Sequence, residues 1–141
     1  MLSNEGQIKL VDFGSSRETQ DISGLIGTGL FMAPEMYRSM TPTNPKETKT
    51  TKIDIFSLGM ILYYLSRNRK SPYPMREQIV PSFFFYHTMR LEQERTFTIT
   101  PIEIDDGRLN ILIPKLLDLN PLSRPSADDI LIERFTFRPI D

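Results

Sequence analysis

Residues 53–65 read IDIFSLGMILYYL, the longest apolar run in the chain. The run is apolar almost all round a helical wheel, and its only charged side chain is Asp54. A helix of this kind is normally buried on every side, and its thirteen residues are too few to cross a bilayer. The sequence therefore predicts a buried central helix over about 53–66, with the rest of the domain built around it.

The overall composition is that of a globular chain, and it excludes several classes of site. The 141 residues are 39% hydrophobic and 25% charged, which fits one domain or part of one. With no Cys and a single His, His87, the chain cannot form a disulfide scaffold, a thiol nucleophile or a Cys-ligated metal site. A net charge of −1 gives no electrostatic reason to expect nucleic acid or a membrane surface as partner. Since no signal peptide or membrane span is visible, we expect a cytoplasmic or nuclear protein.

The segments before the central run predict turns and short elements. Met1-Leu2 and Gln7–Val11, separated by turn residues, predict a β-hairpin remnant whose first strand is almost absent. Residues 12–30 are rich in glycine and hydroxyl side chains and have no apolar period, which predicts a long loop. Ala33–Tyr37 predicts a short helix with Pro34 in its first turn.

The segments after the central run predict two more helices. Leucine and isoleucine recur at helical spacing over 109–119. Ser126 is followed three residues later by Asp129, the pattern of a capping box, which predicts a helix over about 126–134. The aromatic cluster Phe83–Tyr86 predicts packing within a partly helical segment, with an exposed docking patch as the alternative.

Four signatures occur in one order along the chain. They are Asp12-Phe-Gly14, GTGLFMAPE at 27–35, DIFSLG at 54–59, and residues 116–126, which hold LLDLNP and RPS. Each is weak alone, because short motif matches carry a high false-positive risk. Their shared order and structural setting are specific, and together they resemble the C-terminal half of a eukaryotic protein kinase domain of the serine/threonine type.

This resemblance covers essentially the whole chain and implies a fold class. It implies a mainly α structure, a kinase-like C-terminal lobe with a short N-terminal β-strand or hairpin remnant, truncated from the α+β kinase fold. Residues 1–141 would form a partial protein kinase domain with its activation segment at 12–35. The predicted helices at 53–66, 109–119 and 126–134 would be its helical core.

The resemblance also implies a phosphoryl-transfer site that uses ATP and Mg²⁺. Asp12 would be the Mg²⁺ ligand, and a carboxylate at a strand end suits this hard cation. Phe13 would pack on the core and report active or inactive geometry, and Gly14 would allow the backbone to swing.

The activation segment implies further candidate residues. Thr28 would lie in the loop that receives the residue after the phosphoacceptor, where its hydroxyl would orient the catalytic Asp of an intact kinase. Thr19 and Ser23 are candidate phosphorylation sites, and a phosphate there could pair with Arg17.

Three charged residues have structural roles by the same resemblance. Glu35 and Arg124 are expected to form a buried ion pair that joins two helical segments. Asp54, a carboxylate inside an apolar helix, must be satisfied by hydrogen-bond donors. In kinases this residue accepts backbone N–H groups from the catalytic loop, and this sequence does not contain that loop.

Several parts of a kinase are missing from this sequence. A kinase needs a glycine-rich loop, a phosphate-binding lysine and an HRD catalytic loop, and the only His, His87, is followed by Thr88-Met89. We therefore expect that this polypeptide alone neither binds ATP tightly nor transfers phosphate. The sequence leaves open whether the missing half is absent because of a truncated gene model, an alternative start or a degenerate gene copy.

Two functions follow from these expectations. In the first, the intact protein transfers the ATP γ-phosphate to Ser or Thr hydroxyls of protein substrates. In the second, the chain is a non-catalytic, pseudokinase-like module that binds and regulates a partner kinase or another protein. The sequence leaves the substrate, the subfamily and the oligomeric state open.

Overall fold

Helices dominate the computed structural model of the chain. The structure describes residues 1, 3–18, 29–38, 50–68 and 107–132, and no strand occurs among them. The helices are α1 (Pro34–Arg38), α2 (Lys52–Ser66), α3 (Gly107–Leu116) and α4 (Ala127–Ile132). Short 3₁₀ turns lie at Phe13–Ser15, Gly29–Phe31 and Pro121–Ser123. This mainly helical architecture agrees with the predicted fold class.

Helix α2 provides the centre of the core. One of its faces is buried and packs against the apolar side chains of α1 and α3. The buried residues of α2 are Ile55, Phe56, Gly59, Met60 and Tyr63. Their partners are Ala33 and Met36 from the segment around α1, and Leu112, Ile113, Leu116 and Leu117 from α3 and the residue after it. Burial of these side chains is the main favourable contribution to folding of this region.

The prediction that the central helix is buried on every side is wrong. Leu58, Ile61 and Leu65 are exposed, with Leu65 at 68%. These three residues, here called the exposed stripe, recur every three or four positions and therefore share one face of α2. The described elements pack on the opposite face of α2. Burial of an apolar side chain requires a second surface that covers it, and the sequence of the helix alone does not supply that surface.

Gly59 allows α2 and α3 to approach each other closely. A Cβ atom built on Gly59 would lie 2.7 Å from Cβ of Leu116 and 3.0 Å from Cδ2 of Leu117. The first contact is with an atom fixed to the backbone of the facing helix, so it could be relieved only by moving the helices apart. The helix crossing therefore requires glycine at this position.

The N-terminal segment forms a turn that lies outside the core. The backbones of Met1 and Lys9 exchange two hydrogen bonds, of 2.9 and 2.8 Å. Ser3 N–H donates to the Gln7 carbonyl at 2.8 Å, and Gly6 enters the turn with a φ of 76°. Since no strand is formed in the described residues, the hairpin remnant stays a prediction.

The two C-terminal helices differ in extent from the predicted ranges. Helix α3 begins at Gly107 and ends at Leu116, where 109–119 was predicted. The chain turns there because the Asp118 carboxylate accepts the N–H of Asn120 at 2.8 Å. Helix α4 is described to Ile132, and the remainder of its predicted range, like Phe83–Tyr86, lies outside the described residues.

The capping box at the start of α4 is confirmed. The Ser126 hydroxyl accepts the N–H of Asp129 at 3.1 Å, and the Asp129 carboxylate accepts the N–H of Ser126 at 2.7 Å. The same carboxylate accepts the Ser126 hydroxyl at 2.6 Å. The bonds from Ser126 lower the pKa of the Asp129 carboxyl below its ordinary value, and the bond from the hydroxyl has a larger effect than the bond from the backbone N–H.

Replacing Gly59 by alanine tests the close helix crossing. We expect Gly59→Ala to lower the free energy of unfolding by about 1–3 kcal/mol, because the new methyl group overpacks the contact with Leu116. Gly107→Ala is the matched control, since a Cβ at Gly107 meets nothing within 4 Å. Chemical denaturation followed by circular dichroism measures both. Equal stability of the two variants would contradict the crossing.

Titration of Asp129 tests the capping box. Because its folded-state pKa is lowered, the carboxylate stabilises the fold above its unfolded pKa of about 3.9, and this contribution is lost as pH falls through the lower folded pKa. We expect Ser126→Ala to raise the pKa of Asp129 towards the unfolded value. The control Ser123→Ala, at an exposed serine of the preceding turn, should leave it unchanged. Carboxyl-carbon NMR measures both, and a wild-type pKa that is not lowered below the unfolded value would refute the cap.

Candidate functional site

The Asp12-Phe13-Gly14 motif forms a tight turn with a rare backbone conformation. Asp12 has φ 65° and ψ 62°, in the left-handed region, where non-glycine residues are uncommon and Asp is one of the types that adopt it more readily. The turn is closed by Ser16 N–H donating to the Phe13 carbonyl at 2.9 Å. The Arg17 guanidinium donates to the carbonyls of Ser16 at 2.7 Å and Gly14 at 3.2 Å. These bonds hold the residues after Asp12 in place.

The carboxylate of Asp12 is available to a cation. Asp12 is exposed, and within the described ranges no group of three or more His, Cys, Asp or Glu side chains could enclose a metal. Mg²⁺ commonly takes one or two protein carboxylates and completes its shell with water and substrate phosphates. A single exposed carboxylate fits one ligand position of that kind, whereas a site built from protein ligands alone is not formed by these residues.

The expectation that Phe13 packs on the core is wrong. Its side chain is 66% exposed. The 3₁₀ turn that carries Phe13 lies outside the two hydrophobic clusters that α1, α2 and α3 form. In the described part of the chain, the motif is therefore set apart from the helical core.

Glu35 and Arg124 meet in a buried, bidentate ion pair. The two guanidinium nitrogens Nη1 and Nη2 donate to the Glu35 oxygens at 2.6 and 2.9 Å. Both residues are only 2% exposed. Two parallel charge-assisted hydrogen bonds of this kind are stronger and more directional than neutral ones. The pair joins α1 to the loop after α3, across 89 positions of sequence.

Arg124 makes further hydrogen bonds through Nε and Nη1. Its Nε donates to the Asp118 carbonyl at 2.7 Å, and Nη1 also donates to the Lys52 carbonyl at 3.0 Å. The Lys52 ammonium donates back to the Arg124 carbonyl at 2.6 Å. The guanidinium carbon lies 4.8 Å from the centre of the Phe56 ring, a favourable cation–π distance. One side chain thus fixes the start of α2, the start of α1 and the loop after α3.

Local sequence explains why the two partners face each other. Pro34 is the first residue of α1, where a missing N–H costs nothing. Glu35 follows in the first turn, where a carboxylate interacts favourably with the helix dipole. On the other side, the Asn120 side chain accepts the N–H of Leu122 at 3.1 Å and starts the turn that presents Arg124.

The expectation for Asp54 is corrected by the structure. Its carboxylate was expected to be enclosed by donors, but Asp54 is exposed in the first turn of α2. It lies on the same face as the exposed stripe, four residues before Leu58. Water therefore solvates this charge, and its place near the helix start needs no protein donor.

A contact that sequence reasoning missed links α2 to the Gly29–Phe31 turn. The Ser57 hydroxyl lies 2.8 Å from the Phe31 carbonyl and 3.2 Å from the Ile53 carbonyl of its own helix. The Phe31 and Tyr64 rings meet edge to face, with centroids 5.9 Å apart. The available signal was that Ser57 is the one aliphatic hydroxyl in the apolar run 53–65.

Three of the candidate residues lie outside the described part of the structure. These are Thr19, Ser23 and Thr28. Their roles as phosphorylation sites and as part of the acceptor-binding loop stay predictions. Of the residues that are described, the structure brings Glu35 and Arg124 together and leaves Asp12 apart from them, on the exposed N-terminal segment.

Comparison with known proteins gives a consistent result over nearly the whole chain. A family model described as "Protein kinase domain" matches residues 1–136. A probable serine/threonine-protein kinase of Dictyostelium discoideum is 33% identical over 93% of this chain, which covers 13% of that relative. The mouse serine/threonine-protein kinase Nek2 is 30% identical over 92% of the chain and 27% of its own length. The gamma catalytic chain of mouse phosphorylase b kinase, liver/testis isoform, is 31% identical over 96% and 32%.

These relatives are much longer than this chain. The chain spans less than half the length of the curated relatives it matches. Within the described ranges, no helix has both the length and the apolar character that crossing a bilayer requires.

Breaking the buried ion pair should be strongly destabilising. We expect Glu35→Gln to lower the free energy of unfolding by about 3–5 kcal/mol, because it leaves the Arg124 charge buried without its partner. The control Asp54→Asn removes an exposed carboxylate and should cost less than about 1 kcal/mol. Urea denaturation of both variants measures the difference. Similar losses in the two variants would contradict the assigned burial.

Proposed function

This chain belongs to the protein kinase family, and from that membership we propose that its protein transfers the γ-phosphate of ATP to Ser or Thr hydroxyls of other proteins. The family match over residues 1–136 and the serine/threonine kinases among the relatives support the reaction class. The observation that carries the proposal to this chain is the Asp12 carboxylate. It is exposed and held in a left-handed turn at the motif where the family places its metal-binding Asp.

Asp12 is proposed to hold Mg²⁺ together with the phosphates of ATP. When bound, the cation neutralises charge that develops on the phosphate oxygens. The Arg17 guanidinium supports the turn through its bonds to the backbone of Gly14 and Ser16. The role of this chain's residues is therefore to present one carboxylate in a defined place, since phosphoryl transfer depends mainly on positioning and charge.

Residues further along the activation segment are proposed to meet the protein substrate. Thr28 is proposed to contact the acceptor region, and Thr19 and Ser23 are proposed phosphorylation sites. Support for the first comes from the turn Gly29–Phe31 directly after Thr28, which the core holds through Leu30 and Phe31. A loop that ends on a fixed turn can present a side chain with little loss of entropy on binding.

The 141 residues by themselves are proposed to be inactive. The sequence contains no HRD loop, because its single His is followed by Thr88-Met89, and Asp12 supplies only one carboxylate. Positioning of the nucleophile and of the phosphates requires the other parts of a kinase domain.

A second candidate function is a non-catalytic binding module of the same family. The observation that favours it is the exposed stripe of Leu58, Ile61 and Leu65 on α2. Exposed apolar side chains that share one helix face are a common feature of interaction sites. Under this alternative the chain would bind a partner kinase or another protein and would not need the Asp12 carboxylate.

Phosphoryl transfer from radiolabelled ATP to protein substrates distinguishes the two functions. The native polypeptide, captured from its cells with an antibody against residues 109–141, is compared with its Asp12→Asn variant and with the 141-residue chain. Loss of one metal ligand should reduce transfer at least about a hundredfold, the scale of a lost transition-state contact. The 141-residue chain should show none. Equal transfer by the native polypeptide and Asp12→Asn, or none by either, would refute the catalytic proposal.

A further inference from the structure

We infer that Ser57 is a positioning residue that anchors the substrate-facing turn Gly29–Phe31 to helix α2. This inference rests on the proposed function, because the turn follows Thr28 directly in sequence. The observation that carries it is the hydrogen bond that the Ser57 hydroxyl donates to the backbone carbonyl of Phe31, at 2.8 Å.

The local geometry makes this hydroxyl unusual for a serine within a helix. Such a serine normally bonds back to the carbonyl four residues earlier in the same helix. Ile53 offers that carbonyl at 3.2 Å, yet the Phe31 carbonyl lies closer, at 2.8 Å. A hydroxyl has one proton to donate. Ser57 therefore donates to Phe31 and retains Ile53 as a second acceptor.

The Ile53 carbonyl offers the Ser57 hydroxyl an alternative acceptor, so the bond to the turn can be released. If the Ser57 proton rotates to Ile53, the hydroxyl stays satisfied and the Phe31 carbonyl is released. The turn then depends on apolar packing and on the Phe31–Tyr64 ring contact. The exchange keeps the half-buried Ser57 donor bonded, and its cost is the lost hydrogen bond to the Phe31 carbonyl.

The position of the turn explains why its anchor would matter for the substrate. Met32 N–H closes the turn by donating to the Gly29 carbonyl at 3.3 Å, a long bond. The residues that follow include Ala33 and Glu35, which are buried, and Glu35 is bound in the ion pair with Arg124. The turn is therefore fixed on its C-terminal side, and the Ser57 hydroxyl bonds its backbone to α2 through the Phe31 carbonyl.

Hydrogen exchange in the 141-residue chain tests the anchor itself. We expect Ser57→Ala to speed exchange of the Met32 amide about three- to tenfold, the equivalent of one neutral hydrogen bond. Ser57→Thr, which keeps a hydroxyl, should restore slow exchange. The matched control is Ser66→Ala, because the half-buried Ser66 hydroxyl donates within α2, to the Tyr63 carbonyl at 2.8 Å. This control should leave the Met32 amide unchanged.

Steady-state kinetics of the captured native polypeptide test the substrate role. Ser57→Ala should raise KM for the protein acceptor about three- to tenfold and leave KM for ATP unchanged, a split that general destabilisation would not produce. Ser57→Thr should restore the acceptor KM.

The two measurements distinguish a failure of the anchor from a failure of the substrate role or of the proposed function. Unchanged Met32 exchange in Ser57→Ala, or the same acceleration in Ser66→Ala, overturns the anchor. Unchanged acceptor KM with faster exchange overturns the substrate role. Absence of transfer by the unaltered native polypeptide overturns the proposed function and the substrate role together. The hydrogen-exchange result then still decides whether Ser57 anchors the turn.

Discussion

The ion pair between Arg124 and Glu35 is the contact on which the described structure depends. A buried guanidinium is stable only when its charge is paired and its donors are bonded, and here Glu35, Lys52 and Asp118 supply the acceptors. These three residues belong to the start of α1, the start of α2 and the loop after α3. The hydrophobic effect brings the helices together without direction, whereas the fixed fork of one arginine sets how their ends meet.

This arrangement separates a rigid part of the candidate site from an exposed part. The segment Met32–Met36 is buried and bound to Arg124, and the turn before it is tied to α2 through Ser57. Asp12 lies on an exposed turn whose hydrogen bonds among the described residues are local. Protein kinases must bring a metal-binding Asp and an acceptor-binding segment to the same phosphoryl group. The described residues form a buried and hydrogen-bonded support for the segment that we propose to bind the acceptor.

Features that depend on residues within one element could be predicted from the sequence. Features that depend on which surface packs against an element could not. The capping box of Ser126 and Asp129 is local, and the structure confirms it. The family motifs placed Glu35 opposite Arg124. The apolar character of the helix did not reveal that Leu58 and Ile61 would be exposed. A hydrophobic side chain favours burial, but its identity does not show which surface would cover it. The Ser57 bond to Phe31 was missed for a similar reason, since a serine in a helix already has an acceptor in its own backbone.

A double-mutant cycle on Glu35 and Arg124 tests the central claim most directly. Glu35→Gln, Arg124→Met and the double variant would be compared with the unaltered chain by the free energy of unfolding in urea. The ion pair predicts that the double variant loses less than the sum of the single variants, with a coupling energy of about 1–3 kcal/mol. Additive losses, within about 0.5 kcal/mol, would show that the two side chains act independently and that this contact does not organise the fold.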